Sequence, residues 1–239
     1  MLNKISIILP TYNEKDGIVA LIDAIHSELN SLDHEIIVVD DNSPDGTCNL
    51  VMNAGLVYVK AILRTKDRGL AKSIRCGIEN ATGDILVLMD SDFNHQPSYL
   101  PFMIQSLSHY ECVTASRFLY GGSMNNRTRH ILSWLFNIFV RVTTGGWITD
   151  SLYGYLAIKR ESMEKLNYDD IFWGYGDYCI RLMYYLQQQK ANILQVPAVN
   201  GKRRHGQGNS TFLRVFMQYT METLKLVFKE RIIKKRTKK

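Results

Sequence analysis

Asp90 and Asp92 are the residues whose type and spacing most directly suggest chemistry. They follow the apolar run 85–89, which has the composition of a buried β-strand. Because side chains of an extended segment alternate, the two carboxylates point to the same side. Converging carboxylates are costly unless a cation neutralises them, and their hard oxygen atoms suit Mg²⁺ or Mn²⁺, with phosphate and water oxygens completing the shell. The alternative is a pair of solvated turn aspartates.

Two further polar clusters follow strand-like segments nearer the N-terminus. Residues 10–14 read PTYNE after the apolar run 4–9, and residues 40–46 read DDNSPDG after the apolar run 35–39. Ligands of open parallel sheets bind beyond the carboxyl ends of the strands, so three such clusters indicate one site. Taken alone, the second cluster is also typical of a turn in which Asn42 or Ser43 caps the next helix. The sequence lacks GxGxxG after the first strand and GxxxxGK[ST] anywhere, which argues against a dinucleotide-binding Rossmann site and a P-loop nucleotidase.

Apolar strand patterns alternate with helical patterns through the first half of the chain. Uniformly apolar strands separated by helices indicate a parallel sheet that is covered on both faces. The patterns predict strands at 4–9, 35–39, 56–62, 85–89, 112–115, 155–159 and 192–196, and helices at 18–29, 70–80, 126–142, 177–189 and 211–228. Without an internal repeat or a linker, residues 1–228 are predicted to form one domain, followed by a basic tail at 229–239.

Composition and charge narrow the classes of protein. The 239 residues are 46% hydrophobic and 22% charged, which rules out collagen-like and wholly disordered chains. The net charge is +6, but residues 225–239 hold eight of the 29 basic residues and one of the 23 acidic ones. The rest is therefore nearly neutral, which argues against a nucleic-acid groove across the fold. The basic segment fits an anchor to an anionic surface, or else a solvated terminus.

Cysteine usage and hydropathy predict the compartment. The four cysteines form no CxxC pair, which favours a reducing compartment. No apolar window approaches the roughly 20 residues that span a bilayer. We therefore expect a cytoplasmic protein that lies at most on a membrane surface.

The helix predicted at 126–142 combines an apolar body with a narrow polar stripe. Arg129, Ser133, Asn137 and Arg141 recur every four residues and therefore share one face. Such a helix can lie on a bilayer and turn its stripe toward a phosphate group. A core helix whose stripe reaches solvent is the alternative. The apolar face of the helix predicted at 211–228 offers a second membrane contact, or it packs against the sheet.

Together, the three clusters resemble the family 2 glycosyltransferases of the GT-A fold, in particular the dolichol-phosphate (polyprenyl-phosphate) mannose synthases. The resemblance covers roughly residues 4–210, and it implies a Rossmann-like α/β domain whose mixed, mostly parallel sheet is flanked by helices. It also implies inverting, metal-dependent transfer of a hexose from a nucleotide sugar, GDP-mannose or a UDP-sugar, to polyprenyl or dolichyl phosphate. Further matches are Arg64-Thr65-Lys66 with Gly69-Leu70, Ser116-Arg117 with Gly121-Gly122, Asp150 with Gly154-Tyr155, and Arg203-Arg204-His205-Gly206.

The resemblance assigns roles to particular residues. Asp90 and Asp92 would bind Mg²⁺ or Mn²⁺ on the donor diphosphate. The residues implied to hold the nucleotide sugar are Pro10, Tyr12, Glu14, Val39, Asp41, Asp90, Ser91, Asp92, Asn94, Arg117 and Arg203. Arg117 and Arg203 match phosphate-contacting arginines, and Arg129 and Ser133 match positions near the acceptor.

Three positions depart from the family pattern. Asn94 stands where the family usually has Gln, Tyr153-Gly154-Tyr155 where it has Ser-Gly-Phe, and Gly208-Asn209 where it has Ser-Lys. These positions lie near the sugar and the acceptor, so the identity of the donor sugar stays open.

The nature of the acceptor decides whether a general base is needed. A hydroxyl must lose a proton, whereas a monophosphate is already largely dianionic at neutral pH. Asp177 is reminiscent of the base in family 2 enzymes that use hydroxyl acceptors, or it caps the following helix. The alternative function is therefore transfer to a saccharide hydroxyl in cell-surface polysaccharide synthesis, and a third is a catalytically silent sugar-nucleotide-binding subunit. We expect peripheral attachment to the cytoplasmic membrane face, where a membrane-anchoring partner subunit could hold the enzyme.

Overall fold

A seven-stranded sheet forms the centre of the computed structural model, which describes residues 4–201 and 212–236. Its order is β3-β2-β1-β4-β6-β5-β7, and only β6 runs antiparallel to its neighbours. The sheet is therefore mixed and mostly parallel, as predicted. The strands are β1 (Ile5–Thr11), β2 (His34–Asp40), β3 (Val59–Leu63), β4 (Ile85–Leu88), β5 (Cys112–Ser116), β6 (Leu156–Lys159) and β7 (Ile193–Pro197).

Helices cover both faces of this sheet. They are α1 (Ile18–Leu29), α2 (Thr47–Asn53), α3 (Leu70–Asn80), α4 (Leu100–Ser106), α5 (Arg127–Thr144), α6 (Arg160–Glu164), α7 (Tyr178–Gln188) and α8 (Phe212–Arg236). The sequence did not predict α2, α4 and α6, because at most two turns give too few apolar repeats to recognise. Within the described ranges, no helix combines the length and the apolarity needed to cross a bilayer.

The last helix is longer than predicted. The prediction ended it at residue 228, but α8 continues to Arg236, so most of the segment predicted as a basic tail is helical. Lysine and arginine are good helix formers. Two side-chain contacts also hold the extension: Lys229 Nζ lies 2.6 Å from Asp170 Oδ1, and the Tyr185 hydroxyl donates to Glu230 Oε1 at 2.9 Å.

Apolar packing explains how the layers hold together. One buried cluster joins the sheet to α1 and α4, and a second joins the opposite face to α3, α6 and α7. A third cluster connects α5, α7 and α8 through Phe136, Val140, Ile180, Tyr184 and Leu226. Burial of an aliphatic or aromatic side chain contributes roughly 1.5–3 kcal/mol, so these clusters are the main source of stability.

The strand directions determine where polar loops meet. Because only β6 is reversed, the carboxyl ends of the other six strands lie at one edge of the sheet, together with the start of β6. All three polar clusters follow such ends, as do Arg117 after β5 and Asp150 before β6. We call this the carboxyl edge.

Candidate active site

The acid pair lies in the loop that follows β4, residues 89–96, which we call the acid loop. Asp92 accepts two hydrogen bonds from Asn94, from the backbone N–H to Oδ1 at 3.0 Å and from Nδ2 to Oδ2 at 2.7 Å. The Ser91 hydroxyl donates to the carbonyl oxygen of Pro10 at 2.9 Å, which ties the loop to the end of β1. The Asp90 side chain is 43% exposed. The loop therefore holds its carboxylates at the surface of the carboxyl edge.

The donor chemistry of this pair fits a hard divalent cation. Carboxylate oxygens are the ligands that Mg²⁺ and Mn²⁺ prefer, usually one or two acids together with substrate phosphates. In the part of the chain that the structure describes, no group of three His, Cys, Asp or Glu side chains could hold a metal ion. A cation at Asp90 and Asp92 would therefore take its remaining ligands from water or from the oxygens of a bound diphosphate.

The loops after β1 and β2 are joined through Asp40 and Ser43. Asp40 is fully buried and accepts hydrogen bonds from the Ser43 backbone N–H at 2.8 Å and from its hydroxyl at 2.6 Å. Ser43 Oγ in turn accepts from the Asn13 backbone N–H at 2.9 Å. Gly46 precedes α2, and the first N–H of the helix, that of Thr47, donates to Asp45 Oδ1 at 2.9 Å, so the alternative in which Asn42 or Ser43 caps it is wrong. Ser43 instead fixes the two loops to each other.

The predicted nucleoside contacts differ in how accessible they are. Tyr12 is 42% exposed, and the Arg68 guanidinium carbon lies 5.2 Å from its ring centroid. Glu14 and Asp41 are both buried, each 7% exposed. Val39 is completely buried. Tyr12 is therefore the flat surface on which a base could stack.

Asp41 also organises the loop that follows β3. Its Oδ1 accepts from Arg64 Nη1 at 2.7 Å, and its Oδ2 accepts from the Gly69 backbone N–H at 2.6 Å. Arg64 also donates to Ser73 Oγ at 2.6 Å. The Arg64 and Gly69 motifs were matched in the sequence, but their bonds to Asp41 were not foreseen.

Arg117 is held by a buried ion pair that the sequence did not predict. Its Nε and Nη2 atoms donate to the two carboxylate oxygens of Asp150 at 2.7 and 2.9 Å, and its backbone N–H donates to Oδ2 at 3.1 Å. The Asp150 side chain is fully buried and that of Arg117 is 11% exposed. Burial alone would lower the pKa of Arg117, but the Asp150 carboxylate raises it above its ordinary value. Two of the five N–H donors of the guanidinium contact Asp150, which leaves three for other ligands.

Tyr153 connects Arg117 to the acid loop, and Tyr155 binds the same loop. The Tyr153 ring centroid lies 4.6 Å from the Arg117 guanidinium carbon, and its hydroxyl donates to the Asn94 carbonyl at 3.0 Å. The Tyr155 hydroxyl donates to the Gln96 carbonyl at 2.9 Å. Burial raises the pKa of both phenols, so they stay neutral donors. These hydroxyls, at positions where the family has Ser and Phe, bind the acid loop to the start of β6.

Asp177 is the centre of a second buried ion pair. It is 1% exposed, and its Oδ1 accepts from the Tyr175 backbone N–H at 2.8 Å while Oδ2 accepts from Arg181 Nη1. Arg181 also donates to the Ile171 carbonyl at 2.9 Å and lies 3.7 Å from the Trp173 ring centroid. Asp177 precedes α7 but makes no capping bond to it, so the predicted cap is wrong. Its carboxylate holds the loop 171–177.

The predicted acceptor residues lie at the start of α5. Arg129 is exposed in the first turn, and Ser133 is partly exposed one turn later. Asn137, which the sequence placed on the same polar stripe, is 1% exposed and accepts from the Ser151 backbone N–H at 2.8 Å. The stripe is therefore interrupted, because this amide satisfies a buried backbone group beside Asp150.

A short segment after β7 brings the start of α5 to the acid loop. Asn125 Nδ2 donates to the Gly201 carbonyl at 2.9 Å, and the Gly201 N–H donates to the Asn94 carbonyl at 2.8 Å. Asn200 Nδ2 also donates to Asn94 Oδ1 at 3.1 Å. Arg203, predicted to contact phosphate, lies outside the described residues.

Two curated relatives of this chain are mannosyltransferases whose names include a lipid phosphate. A dolichol-phosphate mannosyltransferase of Pyrococcus furiosus is 30% identical over 210 residues, which are 85% of this chain and 58% of that protein. An undecaprenyl-phosphate mannosyltransferase of Micrococcus luteus is 30% identical over 209 residues, which are 84% of each chain. The chain thus spans less than two thirds of the length of the archaeal relative.

Solved structures confirm the predicted fold. The glucosyl-3-phosphoglycerate synthase of Mycobacterium tuberculosis, crystallised with Mn²⁺, UDP and phosphoglyceric acid, superposes with a TM-score of 0.73 at 21% identity. The match covers 94% of this chain and 78% of that one. The profile of glycosyl transferase family 2 matches residues 6–166, about two thirds of the sequence. The chain therefore belongs to glycosyl transferase family 2.

Proposed function

We propose that this protein transfers a hexose, mannose or a glucose-like sugar, from GDP-mannose or a UDP-sugar to polyprenyl or dolichyl phosphate with inversion of configuration. The observation that carries the proposal is the position of Asp90 and Asp92 at the carboxyl edge, between the loop of Tyr12 and the Arg117–Asp150 pair. The names of the curated relatives support a lipid phosphate acceptor. The Mn²⁺ and UDP of the structural neighbour support a donor diphosphate bound with a cation.

Different residues of the carboxyl edge would contact different parts of the donor. Tyr12 would stack on the base, and Glu14 and Asp41 would contact the nucleoside from the same side. Asp90 and Asp92 would hold Mg²⁺ or Mn²⁺, which when bound offsets negative charge on the leaving diphosphate. Arg117, oriented by Asp150, would direct its remaining N–H donors toward phosphate oxygens, and Arg203 would add a second guanidinium.

A phosphate acceptor removes the need for a general base. The second pKa of a phosphomonoester is about 6, so its oxygen is already an anionic nucleophile at neutral pH. Arg129 and Ser133 would orient this group at the start of α5. A single in-line attack on the anomeric carbon inverts its configuration.

Transfer of label tests the proposal directly. The purified protein is incubated with labelled GDP-mannose, UDP-glucose or UDP-N-acetylglucosamine, Mn²⁺ and a polyprenyl phosphate. We expect label in the organic phase with one donor, and the loss of that signal with EDTA or in Asp92→Asn. A protein that yields no organic-extractable product with any donor refutes the proposed activity. Unchanged function in Asp92→Asn would favour a catalytically silent binding subunit.

Transfer to a saccharide hydroxyl is the second candidate, and it requires Asp177 as the base. Since Asp177 is buried against Arg181, Asp177→Asn will destabilise the protein whatever its role, so activity must be expressed per folded molecule. Arg181→Met is the matched control, because it breaks the same ion pair and keeps the carboxylate. Equal activity of the two variants favours the phosphate acceptor. A selective loss of activity in Asp177→Asn favours the hydroxyl acceptor.

We propose that the reaction takes place at the cytoplasmic face of a membrane, and the apolar outer sides of α5 and α8 support contact with a membrane surface. On α5, Ile131, Trp134, Leu135 and Val142 are 45–78% exposed at helical spacing. The paired helix α8 exposes Met217, Met221, Leu224 and Phe228 by 50–68% along one face. Soluble monomers rarely expose contiguous apolar patches of this kind. The two faces and the basic residues of 229–239 would contact anionic lipid, alone or beside a membrane-anchoring partner subunit.

Vesicle flotation separates the membrane contact from the reaction. We expect the protein to float with vesicles that contain phosphatidylglycerol, and a Trp134→Glu/Leu135→Glu variant to stay at the bottom. Val57→Glu is the matched control, since Val57 is fully exposed on the distant loop before β3. A wild-type protein that does not float refutes the membrane contact and leaves the transferase proposal standing.

A further inference from the structure

His95 is a buried residue of the acid loop, and it was not singled out from the sequence. It is 1% exposed, and its Nδ1 accepts a hydrogen bond from the Asp90 backbone N–H at 2.8 Å. The ring stacks on Tyr155, with centroids 4.8 Å apart and an interplanar angle of 5°, and it meets the Tyr153 ring edge-on at 4.5 Å. Both tyrosine hydroxyls are bonded to backbone carbonyls of the same loop, so the aromatic walls are themselves fixed.

The hydrogen bonds define the tautomer of His95. Because Nδ1 is an acceptor, the single ring proton of the neutral form is on Nε2. A protonated Nδ1 could not accept this bond, and the burial of the ring also favours its neutral form. Nε2 makes no well-formed hydrogen bond, and Asp90 Oδ2 lies 3.5 Å from it. The backbone of Tyr153 also stabilises the protonated nitrogen. A buried N–H in this state is uncommon and needs an explanation.

We propose that His95 is a positioning residue for the cation site, which fixes the Asp90 backbone through Nδ1 and directs the Asp90 carboxylate through the Nε2 proton. Residues behind metal ligands commonly orient them in this way and change metal affinity when they are replaced. The proposal rests on the proposed function, because it assumes that Asp90 and Asp92 bind the cation. It explains why an imidazole, rather than an apolar ring, fills the space between two tyrosines.

Three substitutions of His95 distinguish the role of its two nitrogen atoms from the role of its aromatic ring. His95→Asn can place its amide oxygen near the position of Nδ1 and keep the bond to the Asp90 backbone. His95→Gln places its amide one methylene farther away, and His95→Phe keeps an aromatic ring without either nitrogen. His109→Phe is the matched control, since His109 is exposed on the segment after α4.

The readout is the affinity for Mn²⁺ alone, measured on the full-length protein from the electron paramagnetic resonance signal of the free ion. We expect the dissociation constant to rise at least tenfold in His95→Phe and His95→Gln. It should rise less in His95→Asn, which keeps the bond to the Asp90 backbone but lacks the Nε2 proton, and it should stay within twofold of wild type in His109→Phe. The melting temperature of each metal-free variant is measured in parallel. A purely structural role lowers that temperature and leaves the Mn²⁺ affinity of the folded protein unchanged, which would overturn the proposal.

The Asn and Gln variants keep the test decisive if His95→Phe does not fold. Weaker Mn²⁺ binding in His95→Gln than in His95→Asn supports the positioning role, and equal affinities refute it. A wild-type protein that fails to bind Mn²⁺ contradicts the cation site itself and, with it, this inference. The failure of the proposed function is thus visible in the wild type, whereas the failure of the His95 role is visible only in the variants.

Discussion

Removing the carboxylate of Asp150 should both destabilise the protein and impair the transfer. In Asp150→Ala the guanidinium of Arg117 stays charged at 11% side-chain exposure, and it loses two hydrogen bonds from its side chain and one from its backbone N–H. Breaking a buried ion pair by removing one partner typically costs about 3–5 kcal/mol. In a chain of this length 1 kcal/mol shifts the melting temperature by roughly 2–4 °C, so we expect a decrease of about 6–20 °C.

The assay compares four proteins by thermal unfolding and by transfer of labelled sugar. Asp150→Ala and Arg117→Met each leave one partner of the pair alone. The double variant Arg117→Met/Asp150→Leu replaces both partners with apolar groups, which is often neutral for stability. We therefore expect the double variant to regain most of the lost melting temperature and to stay inactive, because the Arg117 guanidinium no longer faces the phosphates.

Two results would refute this reasoning. Exposed ion pairs contribute at most about 1 kcal/mol. If Asp150→Ala lowers the free energy of unfolding by less than this, the result would contradict the burial of the Arg117–Asp150 pair. An active double variant would show that Arg117 does not contact the phosphates of the donor or the acceptor.

Three further predictions concern other parts of the chain. Burial raises the pKa of Glu35, but hydrogen bonds from Ser6 and Thr82 outweigh it and hold the pKa below its ordinary value of 4.5. The stabilisation by Glu35 is therefore complete above pH 4.5 and is lost as the pH falls through its folded-state pKa. In urea unfolding, Glu35→Gln should be less stable than wild type by about 1–2 kcal/mol at pH 7 and equally stable in acid. A difference in stability that does not change with pH would contradict this prediction. Gly201→Ala should lower the free energy of unfolding by about 1–3 kcal/mol, because its Cβ would lie 2.0 Å from the Phe93 carbonyl oxygen; an unchanged melting temperature would argue against this packing. Tyr12→Ala should weaken nucleoside diphosphate binding by about 1–3 kcal/mol in calorimetry with little effect on stability, because its ring is exposed, and unchanged affinity would exclude base stacking there.

The carboxyl edge could be predicted because strand patterns are local. Each apolar run ends where a polar cluster begins, and parallel strands bring such ends together. The predicted helices at 18–29 and 70–80 match the structure, since their apolar residues repeat over three turns. The sequence alone therefore predicts that Asp90 and Asp92 follow a strand at the same edge of the sheet as Tyr12.

The supporting contacts could not be predicted, because they join residues that no local pattern connects. Arg117 and Asp150 are 33 positions apart, and each alone looks like an ordinary charged loop residue. Asn137 has helical spacing with Arg129 but turns inward, because the backbone N–H of Ser151 needs an acceptor. Such pairings depend on tertiary packing.

The packing of α8 could likewise be predicted only in part. The predicted apolar face includes Tyr219 and Leu226, which pack against α5 and α7, whereas one of the two interpretations placed this face on the sheet. Met221 and Phe228 lie on the opposite side and are 56% and 68% exposed. The sequence shows that this helix is apolar on more than one side, but only the packing shows which side remains uncovered.

Calorimetric titration of UDP and GDP into the protein, with Mn²⁺ and with EDTA, tests the central claim most directly. The account predicts that one of these nucleotides binds at least tenfold more tightly with Mn²⁺, and that Asp92→Asn abolishes this gain without changing the melting temperature of the metal-free protein by more than about 4 °C, which corresponds to roughly 1 kcal/mol. Binding of equal strength with Mn²⁺ and with EDTA, or an undiminished gain in Asp92→Asn, would contradict it.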